Sequence, residues 1–234
     1  MSDPTKALLF ERSLACFGIV GRSLSHDIAN VLATISESSG LVEDYLAAAE
    51  QGRPLDPAKL GRVTGRIARQ VERGERYVQQ LNRFAHSMDY PREAIDVGAA
   101  VEAVVGISER FARLRRVTLE HRPAEHSAQI EGSAFELQHA LFRALELVLL
   151  ATPAGGTMTV SVEVKASGVR IDVVGSGPAD READLDGMGR VLALVVEVLG
   201  GQVRQRLGEG DHPLVEVTLP RQLGSLWADA GSGP

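Results

Sequence analysis

The sequence predicts an α+β chain in two unlike parts. An N-terminal antiparallel helical hairpin forms a dimeric four-helix bundle with a second copy, and an α/β sandwich follows it. Three observations carry this prediction. Two long runs with apolar spacing near three and four, free of internal proline, flank a break at Gln51-Gly52-Arg53-Pro54-Leu55-Asp56-Pro57. After Met88-Asp89-Tyr90-Pro91 the pattern changes to shorter helices and alternating runs. The 234 residues, 44% apolar and 24% charged, suffice for one large core or two small ones in an ordinary soluble chain.

The first helical run carries Leu14, Phe17, Val20, Leu24, Ile28, Val31, Ile35, Leu41 and Tyr45. The second carries Leu60, Val63, Ile67, Val71, Val78, Leu81 and Phe84. Two long helices with a short connection pair antiparallel. A lone hairpin cannot bury both apolar stripes, so a homodimeric bundle is the simplest solution. Beyond it, 97–116 reads as a helix, and 117–121 and 129–131 as short strands. Residues 135–151 form an apolar helix that stops at Thr152-Pro153-Ala154-Gly155-Gly156. Alternating runs at 157–165 and 169–174 flank Ala166-Ser167-Gly168, a helix spans 189–199, and 202–206 and 214–219 complete the set. Helices followed by adjacent hairpin strands give a mixed sheet with helices on one face. The expected boundaries are 1–90 for the hairpin, 91–221 for the α/β part and 222–234 for a loose tail.

Composition excludes several classes. Lys and Arg number 25 against 31 Asp and Glu, a net charge of −6, which argues against a surface built for nucleic acid or an anionic membrane. One cysteine, Cys16, excludes a disulfide framework and a multi-cysteine zinc site. No apolar stretch approaches the ~18 residues of a membrane span, and Glu11-Arg12 interrupts Ala7-Leu8-Leu9-Phe10 too early for a signal peptide. The chain reads as soluble and cytoplasmic.

The chemistry-bearing residue is His26, in Ser25-His26-Asp27-Ile28-Ala29-Asn30. At about 100° per residue with Ile28 at zero, Leu24, Val31, Leu32 and Ile35 fall within ~60° of it. His26 then lies near 160° and Asn30 near 200°, opposite the apolar stripe and one turn apart on one face. A displayed, neutral imidazole beside a carboxylate suits phosphoryl transfer through a ring nitrogen. Asp27 can hydrogen-bond one nitrogen and raise the nucleophilicity of the other, and Asn30 can hold a water or an oxygen of the transferring group. The plainer readings stay open: Asp27 as a solvated helix charge and Asn30 as a tolerated weak helix former.

Residues 21–35, with His26-Asp27 and Asn30 followed by Val31-Leu32, resemble the phosphoacceptor box of bacterial sensor histidine kinases. That resemblance implies His26 as phosphoryl acceptor, Asp27 as assisting base and Asn30 as supporting dephosphorylation of a partner. It also implies a docking surface around Arg22, Ser23, Ala29 and Ala33, and an ATPase-like second half. There the resemblance fails in detail. The positions matching the family's magnesium-binding asparagines are Arg143 and Leu147, and the chain's only asparagines are Asn30 and Asn82. The adenine-recognising Asp-x-Gly-x-Gly becomes Asp172-Val173-Val174-Gly175-Ser176-Gly177, with the carboxylate one residue early and Val173 in its place. About ten residues then lead to Gly187-Met188-Gly189, a glycine short of the phosphate loop, and a lone Gly-x-Gly is a weak signal.

The chain therefore resembles the bundle-type histidine phosphotransferases with vestigial ATPase domains, of the ChpT type. The resemblance implies a phosphorelay carrier that takes a phosphoryl group on His26 from one response-regulator receiver domain and passes it to another. It needs no cofactor of its own, and Mg²⁺ sits on the partner receiver. Two alternatives stand beside it: an ATP-dependent histidine kinase with an atypical nucleotide site, and a non-catalytic dimeric adaptor for response regulators. Elsewhere, His86, His121, His126, His139 and His212 lack ligand spacing, with His121 and His126 expected at the surface. Cys16 reads as a buried small apolar residue, and Arg113, Arg115 and Arg116 as a solvated helix end.

Overall fold

The computed structural model describes residues 3–90, 92–124, 127–179, 185–208 and 211–226. Helix α1 (Asp3–Glu50) ends where Gly52 adopts a left-handed φ of +82°, and helix α2 (Pro57–His86) begins where Asp56 Oδ1 accepts the Ala58 N–H at 2.9 Å. By packing, residues 19–83 form one compact unit and the rest of the chain another.

Within the first unit the two helices run antiparallel. Gly74 of α2 lies against Val31 of α1, where an added Cβ would stand 3.1 Å from Val31 Cγ1. Arg66 pairs with Glu37 at 3.5 Å further along. Val20, Leu24 and Val31 are buried, yet Leu32 is 61% exposed and Val71 and Val78 are each 44% exposed.

In the second unit, β1 (Glu93–Asp96) pairs antiparallel with β3 (Gln129–Gly132). Helix α3 (Val97–Leu114) follows β1 directly. Asp96 is its N-cap: Oδ1 accepts the Ala99 N–H at 3.0 Å, which holds the carboxyl below the usual carboxylate range. A five-stranded sheet is ordered β2 (Thr118–Arg122), β4 (Thr157–Lys165), β5 (Gly168–Gly175), β7 (Pro213–Pro220) and β6 (Gln202–Leu207). Only the β2–β4 pair is parallel, and the chain between them includes α4 (Ala134–Ala151), the crossover a parallel pair requires. Helix α5 (Leu185–Val198) lies between β5 and β7 in the chain. Leu137, Leu141, Leu145, Leu192 and Val196 share the core with Met158, Val160, Ile171, Val173, Val215 and Val217, all nearly solvent-free. The sandwich and the hairpin match the fold class read from the sequence.

Several details differ from it. Strand β1 was not anticipated, because four residues are too few to show alternation. Helix α5 starts at Leu185, ahead of Gly187-Met188-Gly189. Residues 222–226 are not loose: Leu223 is 4% exposed and donates its N–H to Glu131, Gly224 bonds Leu199, and the Leu226 N–H reaches Glu136 Oε1 at 2.5 Å. The remainder of the expected tail, 227–234, lies outside the described residues.

The start of α1 groups with the α/β part. Ser13 Oγ sits 3.3 Å from His139 Nδ1, Arg143 Nη2 donates to the Arg12 carbonyl at 3.3 Å, and Phe17 stacks on Phe84 with centroids 5.5 Å apart. Phe84 in turn meets Phe135 at 5.9 Å.

Candidate functional site

Around His26, α1 is regular helix, and residues 26 and 30 are one turn apart on an exposed face. The Asn30 amide meets His26 Nδ1 at 2.9 Å. An amide can face that nitrogen in two orientations, and each fixes a tautomer. With Nδ2 donating, the ring proton sits on Nε2. With the amide turned so that Oδ1 accepts from Nδ1–H, the lone pair lies on Nε2.

Asp27 is only 6% exposed, a buried position rather than a solvated helix charge, and Ser23 is only 7% exposed and does not offer the open surface expected of a docking contact. The reason is rotational. The buried positions Val20, Leu24, Asp27, Val31 and Ser38 centre roughly 70° from Ile28, because Leu32, counted with the stripe, faces out. Arg22, Ala29 and Ala33 are exposed together with His26 and Asn30.

On α4, Leu147 is 4% exposed and packed in the core. Arg143 is held on several sides: Nη1 donates to Glu146 Oε2 at 2.6 Å, Nε to His139 Nε2 at 3.3 Å, and Nη2 to the Arg12 carbonyl. These bonds assign His139 one tautomer. Nε2 accepts, so Nδ1–H donates to Ser13 Oγ. Burial, with the neighbouring Arg143 charge, pushes the His139 pKa down to about 3. Arg12 and Arg143, with Gly187, Met188 and Val191, line a cavity of about 240 Å³. Among the described residues this lining holds two guanidinium groups and no carboxylate or amide side chain. Mg²⁺ takes oxygen ligands and a guanidinium has no acceptor, so these side chains supply no magnesium ligand.

The glycine motifs have packing explanations. A Cβ at Gly189 would come 2.5 Å from Gln205 Oε1, whose own Nε2 donates to the Gly189 carbonyl at 3.1 Å. A Cβ at Gly175 would collide with Thr152 Oγ1 and lie 2.7 Å from Pro213 Cγ. Val173 is solvent-free in the core, while Asp172 turns to the other face and receives Arg170 at 2.9 Å. The stretch expected to carry a nucleotide lid includes 180–184, outside the described residues.

The remaining sequence candidates are scattered. His86 Nδ1 pairs with Asp89 at 2.6 Å, and His212 Nδ1 faces the Gly177 carbonyl. His121 is half-buried on β2 with Nε2 shielded from solvent, not the surface residue expected, and His126 lies outside the described residues. Among the described residues no three His, Cys, Asp or Glu side chains gather as a metal site, and no helix is long and apolar enough to cross a membrane. Cys16 is fully buried, and burial pushes its thiol up to about 12. Sequence reasoning missed Glu136, a carboxyl raised by burial at the start of α4. Ser133 and Glu136, three apart, read in sequence as a helix-start capping box; the residue that occupies the carboxylate, Leu226, lies 90 positions away.

The catalytic domain of the histidine kinase ThkA superposes at a TM-score of 0.50 with 15% identity, covering 57% of this chain and 99% of that domain. The likeness is one of fold. The α/β part is built like a histidine-kinase catalytic domain. The Acinetobacter baumannii histidine kinase AdeS covers 79% of this chain and 95% of its own at 18% identity and TM-score 0.47. A histidine kinase from Burkholderia phymatum covers 82% and 98% at 15% identity and TM-score 0.48. No family model and no curated protein matches the chain.

Proposed function

We propose that this chain is a histidine phosphotransferase of a two-component phosphorelay. It accepts a phosphoryl group on His26 from a receiver-domain aspartate and returns it to another receiver without using ATP. The observation that carries the reading is the exposed His26 ring, held through Nδ1 by Asn30 at 2.9 Å. In the forward step the Nε2 lone pair attacks phosphorus, the N–P bond forms, and the P–O bond to the receiver aspartate breaks. The carboxylate leaves with that electron pair, and Nδ1–H stays bonded to Asn30 Oδ1. The reverse step returns the group to a second aspartate. Mg²⁺ belongs to the receiver in this scheme, and Arg22, Ala29 and Ala33 form the surface that the receiver covers.

Independence from ATP is supported by the engagement of Arg143 with Glu146, His139 and the Arg12 carbonyl, and by a cavity whose described side chains offer magnesium no oxygen ligand. A homodimer through the hairpin is supported by the exposed Leu32, Val71 and Val78, which a second copy would cover. The likeness to kinase catalytic domains favours a second reading, an ATP-dependent kinase, and one experiment separates the two. Phosphorylated receiver domains are incubated with the wild-type chain and with His26→Ala, beside a lane with ATP alone. Label that passes from receiver to wild type, is lost in the variant and is absent with ATP supports the phosphotransferase. Label from ATP alone makes the chain a kinase. Receiver binding without label in either lane leaves an adaptor.

A further inference from the structure

Away from the surfaces discussed above, α3 and α4 enclose an apolar cavity of about 200 Å³. Phe111, Phe142, Leu145 and Leu149 line it, with Phe111 and Phe142 edge to face at 5.7 Å, and so does Glu146, whose carboxylate is paired with Arg143. Its floor also carries Ser108, 3% exposed, whose Oγ is buried without a hydrogen-bond partner. At its rim Leu114 is 69% exposed. Arg115 lines the mouth, where Nη2 donates to the Leu150 carbonyl at 3.2 Å, and Arg113 and Arg116 flank Leu114 in the chain, both exposed. Arg116 holds a left-handed φ of 58°, where glycine is the usual residue. The basic run read in sequence as a solvated helix end thus borders a hydrophobic socket.

Size and charge select the occupant. Pockets for cofactors and drug-sized ligands run to about 300–1,000 Å³, so about 200 Å³ is a space for one large side chain. Binding energy at protein interfaces concentrates in such single anchors set in desolvated pockets. Around the socket Arg113, Arg115 and Arg116 outnumber the one lining carboxylate, Glu146, which is already paired with Arg143, so the local balance favours an acidic segment. The geometry points to a docking socket on the α/β part for an acidic amphipathic helix of a partner protein. The helix inserts one Leu, Met, Phe or Trp between Phe111, Phe142 and Leu149, and its flanking carboxylates meet Arg113 and Arg115. The socket is independent of His26 and does not rest on the phosphotransfer reading.

The test is a selection. A displayed library of helical 16-residue peptides is panned on the full chain and counter-selected on two surface variants, Leu114→Asp and Arg113→Glu, whose melting curves match wild type. Affinities of the enriched peptides are then read by fluorescence anisotropy. The expected result is enrichment of sequences with one large apolar residue and at least two Asp or Glu on the same face. Each substitution should weaken their binding at least tenfold. Three results would overturn the proposal: no enrichment that depends on Leu114, enrichment of basic or uncharged sequences, or saturable uptake of octanoate or phosphatidylglycerol vesicles in place of peptide.

Discussion

Acid should loosen the α/β part through one histidine, and the size of the effect follows from the structure. His139 is 2% exposed, with Nε2 accepting from Arg143 and Nδ1 facing Ser13, so no ring nitrogen can take a second proton without losing a bond beside a guanidinium. Its pKa falls to about 3 in the folded chain against an ordinary value of 6.5. The unfolded chain therefore binds a proton that the folded chain refuses, and stability falls as pH drops below 6.5, levelling off near 3. At about 1.4 kcal/mol per pH unit, lowering the pH from 7 to 5 removes about 2 kcal/mol. For 150–250 residues it corresponds to a fall in Tm of about 4–8 °C. His139→Gln supplies the control, since an amide can accept from Arg143 and donate to Ser13 without titrating. Urea unfolding by circular dichroism at pH 5, 6, 7 and 8 should show wild type losing about 2 kcal/mol more than the variant across that range. Parallel curves for the two proteins would refute the buried neutral histidine.

Four further outcomes are expected. Arg143→Met strands the Glu146 carboxylate and removes a donor to His139, and should lower stability by about 2–3 kcal/mol in the same unfolding assay. Gly175→Ala forces a methyl against Thr152 and Pro213 and should cost about 1–3 kcal/mol, without any nucleotide present to explain the loss. Cys16, with its thiol pushed up to about 12 by burial, should resist iodoacetamide in the native chain at pH 8 and react once urea unfolds it, as mass spectrometry would read. Asn30→Ala removes the bond at His26 Nδ1, and the loss of about 1 kcal/mol should slow receiver-to-His26 transfer roughly fivefold, measured at saturating receiver.

The hairpin and the sandwich were legible because their signals are periodic and long. Proline and glycine at 52–57 mark the turn, and the alternation at 157–165 and 169–174 marks the central strands. The rotational setting of α1 was less legible. Leu32 is apolar and Asp27 charged, so a wheel built on hydrophobicity alone turns the buried stripe toward Leu32, whereas packing buries Asp27. Likewise, Gly175 and Gly189 look like remnants of a phosphate loop in sequence, and only the distances to Thr152, Pro213 and Gln205 give them packing roles. Pairings such as Ser13 with His139 or Leu226 with Glu136 join residues about a hundred positions apart, beyond the reach of any local pattern.

The distance between Ser13 and His139 also bears on how the chain is made. The two are 126 residues apart, and His139 is the later to leave the ribosome. At about 5–20 residues per second, Leu9 and Cys16 wait about 6–25 seconds for the helix that will cover them. For about the last 3–11 seconds of that interval the hairpin stretch 19–83 is already made. The hairpin therefore has time to fold before the start of α1 is fastened to α4.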